Sequence, residues 1–491
     1  MAQTKTFSFQ NAILLLATIP IAAWFSWKNR HYQLDDSLIY LRYLRNLFNG
    51  YGLTYNAGDR FNGLTSPLYS YLLIVANAVT HNLQYTTIFL SFVFLCAAAI
   101  YGAITFSDNP WERVLCAFFV VSFNYFYTTF GMETMLFLFL YAVTIWFYKN
   151  ERYYLFGAAI GLLVLTRTEG VFLAAITIAH YVYVHRKLPP LKYAILPVAF
   201  VAANLLFNYI YYGAPLPATG NAKIGQGRSG LWGTGLPFLN VGYMKGWFFD
   251  DNLKLLAFMI VGTVIGLWAK RREINTRLFV CSLALLACFY VFMLIPNYHW
   301  YDAPFFYFLM IFSAIGAFQV LSFAIRRVRR NALYTLVAIP TLVATVAFGA
   351  ENLKLSNISR GPLDWYKNIG EWITQNTPEQ SVVAAVEIGT VGWYANRHII
   401  DILGLTNPYN ADYIANKDVH SWLTRYFPDY ILVHDPLWVF ETTADCLEKS
   451  GAYAPTPNFN FQGYRLLERS KAPNTATLAE ACGRTGQFTA K

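Results

Sequence analysis

The stretch YTTIFLSFVFLCAAAIYGAITF, residues 85–106, contains no charged side chain. As an α-helix it would be about 33 Å long, enough to cross the roughly 30 Å hydrocarbon core of a bilayer. Runs of the same character occur at about 11–28, 113–130, 133–148, 153–166, 170–184, 192–212, 253–269, 278–296, 303–325 and 332–350, and none carries Asp, Glu or Arg near its middle. The 491-residue chain is 56% hydrophobic, 18% aromatic and only 13% charged. That composition excludes an ordinary soluble domain and predicts a polytopic α-helical membrane protein. No self-similar period of solenoid length is present, so a repeat architecture is not expected.

The net charge of +10 does not point to nucleic acid, because the basic residues concentrate in short loops between apolar runs. Lys149/Arg152, His185–Lys187 with Lys192, Lys270–Arg277 and Arg326–Arg330 form one set of loops. They alternate with loops carrying Glu133, Arg167/Glu169, the long 213–250 stretch and Asn297–Asp302. The positive-inside rule places the first set in the cytoplasm and the second outside, together with everything from about Glu351 onward. The N-terminal run ends in Trp24, Phe25 and Trp27 without a small-residue cleavage site, so it reads as a span and not a cleavable leader.

The first polar loop depends on Ser66–Thr80. If this shorter run crosses the membrane, parity puts residues 31–65 in the cytoplasm. If it lies along or dips into the membrane, they face outside. The second reading is preferred: it gives eleven spans and gathers every odd polar loop on one face. A transmembrane unit, 1–350, and a C-terminal extracytoplasmic unit, 351–491, are expected.

Within that first loop, Asp35-Asp36-Ser37 precedes apolar residues at Leu38, Leu41, Leu44 and Phe48, with Gly50 as a stop. This is the pattern of an amphipathic helix with an acidic start. Capping explains the acids equally well. The alternative is that one carboxylate caps while the other enters a cleft as a general base or a cation ligand. Arg42 and Arg45, on later turns, are expected to meet lipid phosphates or solvent. Glu133 sits where a span begins. Arg167 and Glu169 read either as a charged hairpin turn or as an ion pair facing a polar cavity, since such groups at membrane depth need partners. Lys223 and Arg228, in the Gly-rich loop YYGAPLPATGNAKIGQGR (211–228), suit a phosphate or solvent alike. His299, Tyr301 and Asp302 lie in the aromatic loop PNYHWYDAPFF (296–306), a composition common at membrane interfaces and suited to stacking on a sugar ring.

The tail reads as a small α/β unit. A helix is expected at Trp365–Gln375, and strands within SVVAAVEIG, HIIDILG, PDYILVHD and GYRLLER. Cys446 and Cys482 are a disulfide candidate if the tail is extracytoplasmic. Cys96, Cys116, Cys281 and Cys288 lie in apolar runs, and no spacing suggests zinc.

The segments DDSLIYLRYLRNLFNGYGLTYNAGDRFNGLTSPLY, GMETMLF, LLVLTRTEG, YYGAPLPATGNAK and VEIGTVGWYANRHIIDILGLTNP occur in the order found in bacterial GT-C membrane glycosyltransferases. They most resemble the polyprenyl-phosphate-arabinofuranose-dependent arabinofuranosyltransferases, which include the mycobacterial enzyme adding terminal arabinofuranose and pilin-modifying relatives. The resemblance runs from residue 30 to about 410. It implies a polyprenyl-phosphate sugar donor bound from the membrane side, and a glycan, lipid or protein acceptor arriving from the periplasm. It also implies an inner-membrane location, with the site and the tail facing the periplasm. An acidic residue of the first outer loop acts as base in such enzymes, which maps to Asp35 or Asp36. Arg167 and Glu169 match an Arg-Pro-Glu-Gly pattern in which Thr168 here replaces proline. Relatives carry Arg-Tyr where this chain has His299-Trp300-Tyr301-Asp302, which draws attention to Lys223 and His299 as phosphate partners.

The expected site therefore comprises Asp35 and Asp36 as base candidates and Lys223, Arg167, His299 and Arg228 around the donor phosphate. Glu133, Glu169, Tyr301 and Asp302 would hold sugar or acceptor. No cofactor is required by the sequence; a divalent cation near Asp35 and Asp36 is compatible with it. The rival classes are a lipid-linked sugar transporter and an assembly scaffold, and a GT-C enzyme using another sugar, such as mannose, would need similar residues. The transporter reading lacks mid-membrane charges and paired halves.

Overall fold

The computed structural model describes residues 9–233, 235–240, 253–328, 332–354 and 361–470. Each predicted apolar run contains a helix. In chain order the helices are α1 (Phe9–Lys28), α2 (Asp35–Phe48), α3 (Pro67–Thr80), α4 (Leu83–Phe106), α5 (Pro110–Ser122), α6 (Thr134–Lys149), α7 (Tyr153–Thr166), α8 (Gly170–His185), α9 (Ile195–Tyr212), α10 (Thr219–Ser229), α11 (Leu253–Lys270), α12 (Ile274–Phe292), α13 (Ala303–Val328) and α14 (Thr335–Lys354). Among the described residues, five helical stretches are long and apolar enough to cross a membrane: Leu83–Phe106, Ile195–Tyr212, Ile274–Phe292, His299–Val328 and Thr335–Lys354. Shorter apolar helices include α3, ahead of these, and α6 to α8, between the first two. Helix α4 packs against α1, α5 and α6, and α11 lies along α13.

The run expected at 113–130 is not one helix. It stops at Ser122 and continues as a 3-10 turn, Asn124–Thr129. The polar residues Thr128 and Thr129 supply the local reason, since such side chains bond neighbouring backbone groups and compete with helix. Thr128 and Thr129 donate to the carbonyls of Tyr125 and Phe126 at 2.6 and 2.9 Å.

The tail opens with α15 (Gly361–Asn376) and holds β1 (Val382–Ala385), α16 (Thr390–Ala395), β2 (His398–Asp401), β3 (Tyr430–His434), β4 (Tyr453–Pro455) and β5 (Tyr464–Arg469). The strand order is β2-β1-β3-β5-β4. β1 is parallel to β2 and β3, while β5 is antiparallel to β3 and β4. β1 and β3 are largely apolar and buried, as strands covered on both faces require, whereas β5 buries Leu466 and Leu467 and carries charged residues on either side of them. Cys446 is disulfide-bonded; Cys482, its expected partner, lies outside the described residues.

Helix α2 joins the two parts. Ser37 to Leu44 are all buried, as is Asn46. This corrects the expectation for the arginines: Arg42 is 4% exposed, and both arginines bond the tail, not lipid or solvent. Arg42 donates to the carbonyls of Tyr55 (2.8 Å), Gly392 and Arg397 (2.5 Å) and to Asn56 Oδ1 (2.9 Å). Arg45 donates to the Trp393 carbonyl at 2.8 Å.

Candidate functional site

A cavity of about 340 Å³ lies where α2, α10, the loops before α6 and α8, and the turn before α13 meet. Its wall includes Asp36, Ile39 and Tyr40 from α2, Glu133, Arg167 and Glu169, and Thr219, Asn221 and Lys223 from α10. Tyr290, Trp300 and Tyr301 add aromatic faces, and Leu405 reaches in from the tail.

The two aspartates part company here. Neither caps α2, whose N-cap is Leu34 with no side-chain bond. Successive helical residues are 100° apart, so Asp35 and Asp36 face different sides. Asp36 lines the cavity. Asp35 does not; its carboxylate accepts from the backbone N–H of Thr390 (2.7 Å) and Gly389 (3.2 Å) at the start of α16. Among the described residues no group of three or more His, Cys, Asp or Glu side chains is arranged to hold a metal.

The Asp36 carboxylate accepts no hydrogen bond among the described residues. Burial is the main reason its carboxyl is pushed up to about 6, with Lys223 pulling it down and Asp35, Glu133 and Asp401 pushing it up. Glu133 is 4% exposed and accepts from the Tyr40 hydroxyl at 3.2 Å. Its approach to α2 depends on Gly131, whose φ of +94° is a glycine conformation and where a Cβ would fall 2.6 Å from Ser37 Oγ.

Arg167 and Glu169 form the cavity's ion pair. Arg167 Nη2 donates to Glu169 Oε1 (2.9 Å) and the Tyr290 hydroxyl (3.1 Å), and that hydroxyl donates to the same carboxylate oxygen at 2.9 Å. Burial alone would raise the Glu169 carboxyl; Arg167 overrides it, and the group is held below the usual carboxylate range. The guanidinium lies between the Phe137 and Tyr301 rings, 5.2 and 5.0 Å from their centroids. Arg167 Nη1 remains buried without a hydrogen-bond partner, as does Thr219 Oγ1. Lys223 Nζ sits 3.7 Å over the Tyr298 ring and has no carboxylate within ion-pair distance among the described residues.

Three expected members lie off the cavity. His299 and Asp302 occupy a 3-10 turn, where residues i and i+3 eclipse, so they share one edge while Trp300 and Tyr301 present the other. Asp302 is buried against Asn297, and the His299 carbonyl accepts from Tyr125. Arg228 is exposed at the far end of α10, about 140° around the helix from Lys223. Tyr40, Tyr290, Thr219 and Asn221 line the cavity and were not singled out by sequence. Tyr290 sits inside an apolar run and gives no local signal. The Gly-rich composition of 211–228 did mark the region of Thr219 and Asn221.

A family model described as a domain of unknown function (DUF8728) matches residues 356–486, the stretch that holds the sheet. A terminal β-(1→2)-arabinofuranosyltransferase of Corynebacterium glutamicum is 38% identical over 84 residues, 17% of this chain and 12% of that protein; the chain thus matches about an eighth of that relative's length. ArnT from Cupriavidus metallidurans in the apo state superposes with a TM-score of 0.58 over 94% of this chain and 99% of that one. The same protein bound to undecaprenyl phosphate gives 0.56 over 96% and 100%, with 12% sequence identity in each case. This chain is a multi-pass membrane protein with the GT-C fold, a helical bundle carrying a small C-terminal sheet unit.

Proposed function

We propose that the protein is a glycosyltransferase that moves a sugar, arabinofuranose foremost, from a polyprenyl-phosphate donor to an acceptor hydroxyl on a periplasmic glycan, lipid or protein. The observation that carries this reading is one cavity holding a raised, unbonded carboxylate, Asp36, together with two cations whose donors are not fully used, Arg167 and Lys223. Undecaprenyl phosphate in the ArnT structure and the arabinofuranosyl activity in the Corynebacterium relative's name support the donor class and the sugar respectively. The site and the tail face the periplasm of a bacterial inner membrane in this account.

The chemistry follows from the charges. An acceptor hydroxyl becomes an effective nucleophile as Asp36 takes its proton. The acceptor oxygen then bonds the anomeric carbon while the bond from that carbon to the lipid phosphate breaks, through an oxocarbenium-like transition state. Negative charge growing on the departing phosphate is met by Lys223 and by the free Nη1 of Arg167. Glu169 and Tyr290 fix the guanidinium plane. Tyr40 and Glu133 are placed to hold sugar hydroxyls, and Trp300 and Tyr301 offer faces for the ring.

The test is reconstitution in sealed vesicles with radiolabelled polyprenyl-phosphate arabinofuranose and a glycan acceptor. Covalent label on the acceptor is expected. Label crossing the bilayer with no covalent product would instead establish a transporter and overturn the reading.

A further inference from the structure

The stretch 388–399 packs against α2 and the loop after it, on the side of α2 away from the cavity. Tyr55 donates to the Ile388 carbonyl at 2.6 Å, and Asn56 clasps the backbone of Ile399, donating at 2.9 Å and accepting at 3.0 Å. Arg42 and Arg45 bond the carbonyls of Gly392, Trp393 and Arg397. At the leading end, the Asp35 carboxylate takes the first backbone N–H groups of α16. A helix start carries unpaired N–H groups and partial positive charge, so a carboxylate is well matched there. The fit leaves no room for error: a Cβ on Gly389 would overlap the Asp35 carbonyl and carboxylate oxygens. Asp35 and Arg42 are seven residues apart and so share a face of α2, while Asp36, Ile39 and Tyr40 form the face that lines the cavity.

We propose that Asp35 is a positioning residue: by gripping Gly389 and Thr390 it locks the first turn of α2 to the tail and aims the Asp36 carboxylate into the cavity, making the tail a working part of the site. This rests on the reading of Asp36 as the base. The acidic doublet then has a division of labour, one carboxylate holding and the next reacting. The tail's contribution is geometric and also electrostatic, since Asp401, at the end of β2, is among the charges acting on Asp36.

The experiment is the pH–rate profile of Asp35→Asn, measured on the full-length protein with lipid-phosphate sugar donor. The groups facing Asp36 are Lys223 from α10, Asp35 on its own helix, Glu133 before α6, and Asp401 and Glu387 from the tail. An asparagine amide offers one acceptor where the carboxylate offers two, so the first turn loosens. The expected kcat is lower by roughly 10- to 100-fold with donor KM nearly unchanged. The acid limb should also move to lower pH, because a negative neighbour that favours protonated Asp36 has gone. Gly389→Ala keeps both carboxylate charges while its Cβ pushes the Asp35 carboxylate off the turn; it should lower kcat with the acid limb close to that of the unmodified protein, and it also serves if Asp35→Asn does not fold. Unchanged kcat in both variants overturns the proposal, and so does a lower kcat in Asp35→Asn with an unmoved acid limb. Transfer by Asp36→Asn at the unmodified rate would instead sink the base assignment itself, a separate failure.

Discussion

The two faces of α2 obey opposite rules. Toward the tail every charged group is matched: Asp35 by two backbone N–H groups, Arg42 by four acceptors, Arg45 by a carbonyl. Toward the cavity the matching is incomplete. Arg167 Nη1 and Thr219 Oγ1 are buried without partners, and neither Asp36 nor Lys223 has a hydrogen-bonded counter-ion among the described residues. Leaving a buried polar group unpaired costs about 1–3 kcal/mol, more if it is charged. On the tail side the buried atom left unpartnered at this contact is a neutral hydroxyl, Thr390 Oγ1, whereas in the cavity the unmatched groups include charged ones. The unmatched groups are therefore best explained as partners for something that enters the cavity.

If this contrast is right, substitutions on the two faces should fail differently. Arg42→Met on the tail face leaves three backbone carbonyls and an amide oxygen without their donor. The expected cost is on the order of 3 kcal/mol or more of stability, seen as a lower thermal midpoint in detergent. A midpoint equal to that of the unmodified protein would mean the tail face is not structural. On the cavity face, Lys223→Ala should leave the thermal midpoint nearly unchanged and raise donor KM by about tenfold, the worth of one charge-assisted contact. It should also move the acid limb of activity upward, since Lys223 is the cation that lowers the Asp36 carboxyl. The sign is opposite to that expected for Asp35→Asn, so the pair of profiles sharpens the comparison: Asp36 must be deprotonated to act, and activity should rise through about pH 6 in the unmodified enzyme. The smallest effect is expected from Arg228→Ala. That side chain is exposed and off the cavity, so rate and KM should stay within about twofold, as for ordinary surface changes. A large rise in donor KM there would show that the phosphate site extends beyond the cavity as drawn.

Much of the fold was legible because membrane helices announce themselves through length and lack of charge. β1, β2 and β3 were legible from clustered β-branched residues, and β5 from its short GYRLLER run, which has none. Strand β4, Tyr453–Pro455, was not: it is three residues long and includes a proline, and it lies at the sheet edge where proline is tolerated. At the site, the sequence marked the acidic doublet, the Arg167–Glu169 pair and Lys223. It could not assign the two aspartates to faces, because that choice is made by Gly389 and Thr390, more than 350 residues further along the chain. Nor could it separate His299 and Asp302 from Trp300 and Tyr301, since that depends on the loop winding as a 3-10 turn.

The most direct measurement is donor binding and sugar transfer by Asp36→Asn, in parallel, with a synthetic polyprenyl-phosphate arabinofuranose. The account predicts near-normal donor binding, because Lys223 and Arg167 remain, and transfer reduced by about 10²–10⁴-fold. Transfer at the unmodified rate with binding intact would contradict it.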